Sequence, residues 1–375
     1  MGAITLAAPA AASEPLFTGT LTDKAGNPIS GPMFVTAMPD NMRKYRATFT
    51  VGTAEADANG HYEVTVTDAA RIKQLAAEQE GVVDFAIASQ LPGVEGSGFV
   101  SRRVVRDGDD LRLVDSSLDA AAARRASAGP PVVDFQANDR RVATRMGGAL
   151  TLAEPLASRQ QVAMCMKTGI ESVKSISKWT IIGELNNAYN DGTVATFTYG
   201  RSHHAETTIG VAQATADGGW EISATKEMTN SGEIGFPPAK RRWARKLQTG
   251  FEYTKTTEKI WCGFSGYERT TIRPTNWDGG ARDVIKQAKA LDRCDRAVKS
   301  YPPNARARTA KQSAIRWNGA VNAFGASLTA QSGFSDNVII EYHFGGRGNK
   351  QHRVCGEDGK QPIWEAGRIY SGTRH

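Results

Sequence analysis

Several absences bound this chain of 375 residues before any motif is read. No run of about 18 apolar residues occurs, which excludes a transmembrane helix. Cysteine is absent until Cys165, and the four that follow (Cys165, Cys262, Cys294 and Cys355) include no C-x-x-C pair, which argues against a zinc ribbon. There is no G-x-S-x-G elbow to expose a nucleophilic serine. Neither a phosphate-binding P-loop nor a G-x-G-x-x-G between strand and helix appears. The chain therefore offers no familiar nucleophile, nucleotide cradle or cofactor fingerprint. No metal site and no cofactor are expected.

What remains is the composition of a β-rich globular protein long enough for two domains. Hydrophobic residues make up 40% and charged residues 23%, and the 38 glycines imply many turns. The start, "MGAITLAAPAAASEP", is rich in small residues and suits signal-peptidase cleavage near Ala12–Ser13. We therefore expect residues 1–14 to be a signal-peptide remnant whose true beginning lies upstream, and the protein to be secreted. An even cysteine count in an exported chain points to two disulfides. Three pairings exist; Cys262 with Cys294 would close a local loop, and Cys165 with Cys355 would tie the ends of a domain. Charge is uneven. Residues 1–160 hold 16 basic and 19 acidic side chains, net −3, whereas 161–375 hold 30 and 20, net +10. The second half is the one whose field attracts an anionic partner.

Alternating stretches at 16–22, 33–38, 46–57, 61–66, 82–90, 98–105 and 111–114 predict about seven strands. Asn59–Gly60 between two of them reads as a type I′ hairpin. "DAARIKQLAAEQE" (68–80) opens on Asp68 and carries apolar residues at helical spacing, so it predicts a short helix. Residues 116–160, broken at Gly129–Pro130–Pro131, read as a linker with a short helix near 117–126. The remainder, 161–375, is β-rich, with one helix expected over "ARDVIKQAKALDRC" (281–294).

The run Gly19-x-Leu21-x-Asp23-x-x-Gly26-x-Pro28-Ile29-x-Gly31, followed by Asp57-x-x-Gly60-x-Tyr62, resembles the carboxypeptidase-regulatory-like, or prealbumin-like, β-sandwich family over residues 15–115. That resemblance implies an accessory sandwich without catalytic residues; the helix at 68–80 departs from it. Residues 165–365, with "IIGELNNAYN", "TTIGVA", "GGWEIS" and "AFGASLTAQSGF", resemble a family of exported actinobacterial proteins of unknown function, which implies compartment and fold but no activity. The expected fold class is mainly β: an Ig/prealbumin-like sandwich at 15–115, a linker at 116–160, and a disulfide-bonded antiparallel β domain at 161–375.

Three segments compete as functional sites. The hairpin "TTIGVAQATADGGWEISATKE" (207–227) is rich in Ala, Gly, Ser and Thr, as pore-forming hairpins are. Gln213 and Lys226 interrupt its apolar face, and a lysine at a bilayer midplane costs about 2–4 kcal/mol. A core hairpin with Lys226 emerging at the rim is the simpler reading. His203, His204 and Glu206 form a His/Glu cluster, but neighbours on a strand point to opposite faces and no further ligand is in sequence reach. The third segment, "PPAKRRWARKLQTGFEYTK" (237–255), sets Lys240, Arg241, Arg242, Arg245 and Lys246 around Trp243, with Phe251 and Tyr253 downstream. Guanidinium forks bind phosphate and carboxylate, and aromatic faces stack on bases or sugars. The bland reading is a solvated edge strand whose charge prevents aggregation. Trp179, Trp261, Trp277, Trp317 and Trp364 are spaced like core anchors, with Trp277 in a turn.

These features favour an exported, non-catalytic binding or surface-interaction protein that contacts an anionic polymer of the cell envelope. Nucleic acid is a further acidic partner with no motif to support it. The alternatives are a β-pore using 207–227 and a secreted hydrolase with an unidentified site.

Overall fold

Alternation carries most of the described residues into strands, and only three short helices occur among them. A computed structural model describes residues 15–23, 25–89, 94–95, 97–107, 110–116, 118, 120–126, 129–136, 138–139, 165–187, 191–199, 207–214, 219–228, 234–240, 243–262, 265–287, 298–309, 319–332, 338–346, 352–355 and 368–371. The expected signal remnant at 1–14 lies outside them. By packing, the chain divides into one unit of Met1–Met38, Phe49–Gly98 and Arg102–Cys165, and a second of Pro39–Thr48, Phe99–Ser101 and Met166–His375. The protein is mainly β, with multiple antiparallel pairings. No described helix is long and apolar enough to cross a membrane.

In the first unit six strands form a sheet in the order Thr65–Val66, Phe49–Ala56, Gly31–Met38, Val82–Ser89, Ser97–Asp107 and Asp110–Asp115. A smaller sheet sets Thr18–Thr22 between Phe135–Gln136 and His61–Glu63. All eight residues of Val82–Ser89 are buried, so both of its faces are covered. Helix Ala69–Glu78 packs on this strand and on Phe49–Ala56, turning Ile72, Leu75 and Ala76 inward. Phe17 meets Phe85 edge-on at 5.2 Å. The helix begins where the sequence indicates: the Asp68 carboxylate accepts the Arg71 N–H at 2.9 Å, an N-cap bond.

The turn at 57–60 is not type I′. That turn needs positive φ at both central residues, and here only Gly60, at φ 77°, is positive. Asp57 organises it instead, its Oδ1 accepting the N–H groups of Asn59 (2.8 Å) and His61 (2.9 Å). Asp23 does the same one turn earlier, accepting from Ala25 and Asn27 at 2.8 Å each, with Gly26 at φ 84°.

The second unit is built on a sheet of ten described strands. At its centre a long ribbon pairs Trp243–Cys262 with Ser265–Gln287, flanked by Cys165–Asn187 on one side and Thr207–Ala214 on the other. The helix expected over 281–294 is corrected as far as 287: those residues continue the strand, because pairing with Trp243–Gln248 overrides their helical spacing. Residues 288–294 lie outside the described residues. A second sheet of five described strands is centred on Val194–Tyr199 and Val338–His343. The core gathers Ile182, Phe197, Ile209, Phe251, Leu328 and Tyr342, among others.

The hairpin 207–227 forms, as Thr207–Ala214 paired with Trp220–Met228. Its faces differ from the expected ones. A β-bulge lies between the pairs Val211 with Ala224 and Ala212 with Ile222, and the extra residue, Ser223, reverses the alternation. Ile222 is consequently exposed, while Lys226 is only 4% exposed rather than at the rim.

Candidate functional site

The basic segment enters the second unit in two pieces. Lys240 closes the short strand Ala239–Lys240, opposite Val194. Arg241 and Arg242 lie outside the described residues. Trp243, Arg245 and Lys246 open the ribbon opposite Gln287, Ile285 and Val284; their side chains are outside what is described. The same register brings two cationic residues from far along the chain: Lys286 stands opposite Ala244, and the exposed Arg282 stands opposite Gln248. Leu247, in the midst of these charges, is fully buried and fixes this end of the ribbon to the core.

Phe251 and Tyr253 do not extend the binding surface. Both are fully buried, and the Tyr253 hydroxyl is hydrogen-bonded to the Thr180 hydroxyl at 2.7 Å. Burial pushes the Tyr253 hydroxyl well above the usual phenol range. The tryptophans also depart from expectation. Trp179 and Trp261 are 43% and 42% exposed, and Trp277 is half-buried, donating to Thr249 Oγ1 at 2.8 Å. Trp317 and Trp364 lie outside the described residues.

Sequence reading missed a strip of charge buried in the second unit. Glu258 and Arg269 face each other in the ribbon register, and the carboxylate accepts from both Nε (2.9 Å) and Nη2 of the guanidinium. The Thr48 hydroxyl donates to the other carboxylate oxygen at 2.6 Å. Further along, Arg273 and Lys226 both donate to Asp40, Arg273 at 2.9 Å, and Arg273 also reaches the Pro39 carbonyl. Arg273 is 1% exposed and Arg269 is 3% exposed. Charges this deep are retained when paired and hydrogen-bonded, as these are. No local signal links Asp40 to residues roughly 190 and 230 positions later; only the fold joins them.

The histidines separate. His203, His204 and Glu206 lie outside the described residues. His343 is exposed, whereas His352 is buried against the Phe344 ring at 4.9 Å and hydrogen-bonded to Asp191. Asp191 also accepts from the Thr193 N–H (3.0 Å) and hydroxyl (2.6 Å). Burial pushes the Asp191 carboxyl up, but hydrogen bonds from Thr193 and His352 outweigh it and hold the group below its ordinary value. The arrangement is a clamp on the 191–193 loop. Among the described residues no three His, Cys, Asp or Glu side chains converge as a metal site.

Cys294 lies outside the described residues, as do the side chains of Cys165, Cys262 and Cys355.

The first unit carries an open cleft of about 1090 Å³ edged by Glu55, Asp57, Glu63, Asp134 and Tyr62. Asp57 is committed to its turn, and Asp134 accepts the Thr20 N–H (3.1 Å) and hydroxyl (2.6 Å). Tyr62 donates to the Val133 carbonyl, and burial first, then the Asp134 charge, raises its hydroxyl above the usual range. Asp57, Asp134 and Tyr62 thus tie the cleft's walls together.

Compared with known proteins, the chain matches no family model, no curated protein and no solved structure.

Proposed function

We propose that this chain is an exported, non-catalytic binding protein that grips an anionic polymer of the cell envelope with the basic end of its ribbon. The observation that carries the reading is the strand register, which sets Arg282 and Lys286 opposite the segment that contains Arg245 and Lys246. Two distant stretches of basic sequence thus share one ribbon end, in the half of the chain with net charge +10. A linear polyanion of phosphates or carboxylates would be held by several such contacts at once, each releasing a counterion. The pore alternative gains no support. Both edges of Thr207–Ala214 are paired, to Trp220–Met228 on one side and to Ala326–Ser332 and Ser265–Gln287 on the other, and a leaving hairpin would break all but its own pairing.

The same reading takes the first unit as a carboxypeptidase-regulatory-like sandwich acting as an accessory module. Its support is that both motif aspartates, Asp23 and Asp57, do one job, closing turns around a glycine of positive φ. Two disulfides belong to the exported state, and thiol counting on the secreted protein tests them.

The binding experiment is retention on immobilised teichoic acid across a salt gradient. The parent should elute late, and a variant combining Arg241→Ala with Arg242→Ala should elute at clearly lower salt with unchanged circular dichroism. Equal elution of the two at every salt concentration would refute the proposal.

A further inference from the structure

The buried strip contains polar atoms that the protein itself leaves unmet, two of them on neighbouring side chains of one strand face. Arg269 uses Nε and Nη2 on Glu258, but its Nη1 has no hydrogen-bond partner. The Thr271 hydroxyl also has none. Both residues are almost completely buried, at 3% and 2% exposure. They stand two apart on the strand Ser265–Gln287, so their side chains leave the same face, with Cα atoms about 7 Å apart. Arg273, two residues further, adds a second buried guanidinium on that face.

Orphaned buried polar atoms of this kind mark an ordered water or ion. The chemistry of the pair separates these occupants. A buried water makes about three hydrogen bonds and must donate as well as accept. Here the guanidinium offers donors only, and the hydroxyl oxygen is the one unmet side-chain acceptor in the strip among the described residues. An anion needs donors alone, and both groups supply them. Among the described residues the strip sets three cations (Arg269, Arg273 and Lys226) against two carboxylates (Glu258 and Asp40), and this positive balance favours an anion.

We propose that Arg269 Nη1 and Thr271 Oγ1 hold a small inorganic anion of the halide class inside the second unit. The anion satisfies both donors and contributes to folding by mass action, because the unfolded chain lacks the site.

The test uses the full chain and chloride as the probe, with sodium gluconate keeping ionic strength constant. Above half-saturation, Tm should rise by about 3 °C for each tenfold increase in chloride. Thr271→Val should abolish that rise, and Thr271→Ser should keep it. An equal Tm in chloride and gluconate, or an unchanged chloride dependence in the Thr271→Val variant, overturns the proposal. Should that variant fail to fold, crystals grown in bromide decide the matter. An anomalous peak between Arg269 and Thr271 supports the site, and its absence overturns it.

Discussion

Glu258 and Arg269 stand opposite each other across the central ribbon, 1% and 3% exposed, locked by two hydrogen bonds to one carboxylate oxygen. The pair sits where an ordinary sheet would place aliphatic side chains. Its partners on the same face include Thr254, Thr256, Thr271 and Arg273, all buried. One face of this ribbon is therefore held largely by polar complementarity.

Removing one member should be far worse than removing both. Glu258→Gln leaves the Arg269 charge buried without its anion, and we expect a loss of about 3–5 kcal/mol. The double change Glu258→Leu with Arg269→Met should recover most of it. Denaturant titration followed by tryptophan fluorescence gives the comparison; a single variant as stable as the parent would contradict the pairing.

The two turn glycines should differ. A methyl group at Gly60 would lie 2.4 Å from the Leu21 carbonyl oxygen, at φ 77°. At Gly26, with φ 84°, it would meet open space. Gly26→Ala should cost about 1–2 kcal/mol, the penalty of the left-handed region alone. Gly60→Ala should cost more, since backbone must also move. Equal losses would show that the contact at Gly60 is relieved without cost.

Acid should loosen the 191–193 clamp. The Asp191 carboxyl is held below its ordinary value of 3.8, so it titrates more readily in the unfolded chain. Its stabilising contribution is present above that ordinary value and is lost as pH falls through the lower folded one. Asp191→Asn should therefore lower Tm near neutral pH and flatten the decline below pH ~4. A variant whose acid unfolding curve superimposes on the parent's would remove Asp191 from this role.

Tyr253 separates core from binding surface. Tyr253→Phe strands the Thr180 hydroxyl and should cost about 1–3 kcal/mol. Retention on an anionic column should not change. A loss of retention without loss of stability would return Tyr253 to the contact surface.

Local chemistry was legible in the sequence, and distant chemistry was not. Asp68 announces the helix that follows it, because an N-cap acts over three residues. The turn at 57–60 was legible in place but not in kind: Asn59–Gly60 marks it, whereas the Asp57 carboxylate closes it. The strand at 281–287 was invisible, since Val284 and Ile285 fit a helical stripe as well as a strand and only the partner strand decides between them. Lys226 was misplaced at a rim because its anion, Asp40, lies 186 residues earlier and a bulge at Ser223 turns it inward. The cationic end of the ribbon was half legible: Arg245 and Lys246 announce it, whereas Arg282 joins only through register.

The order of strands has a consequence for biosynthesis. Arg368–Ser371 lies between two neighbours, parallel to Glu184–Asn187 on one side and antiparallel to Val354–Cys355 on the other. A slot in the middle of the sheet thus waits for residues made roughly 180 positions after Glu184–Asn187. Until the ribosome has delivered them, both neighbours expose bare strand edges, which are ready templates for pairing with another nascent chain. Premature termination just upstream of residue 368 should therefore yield aggregates rather than a shortened, soluble product.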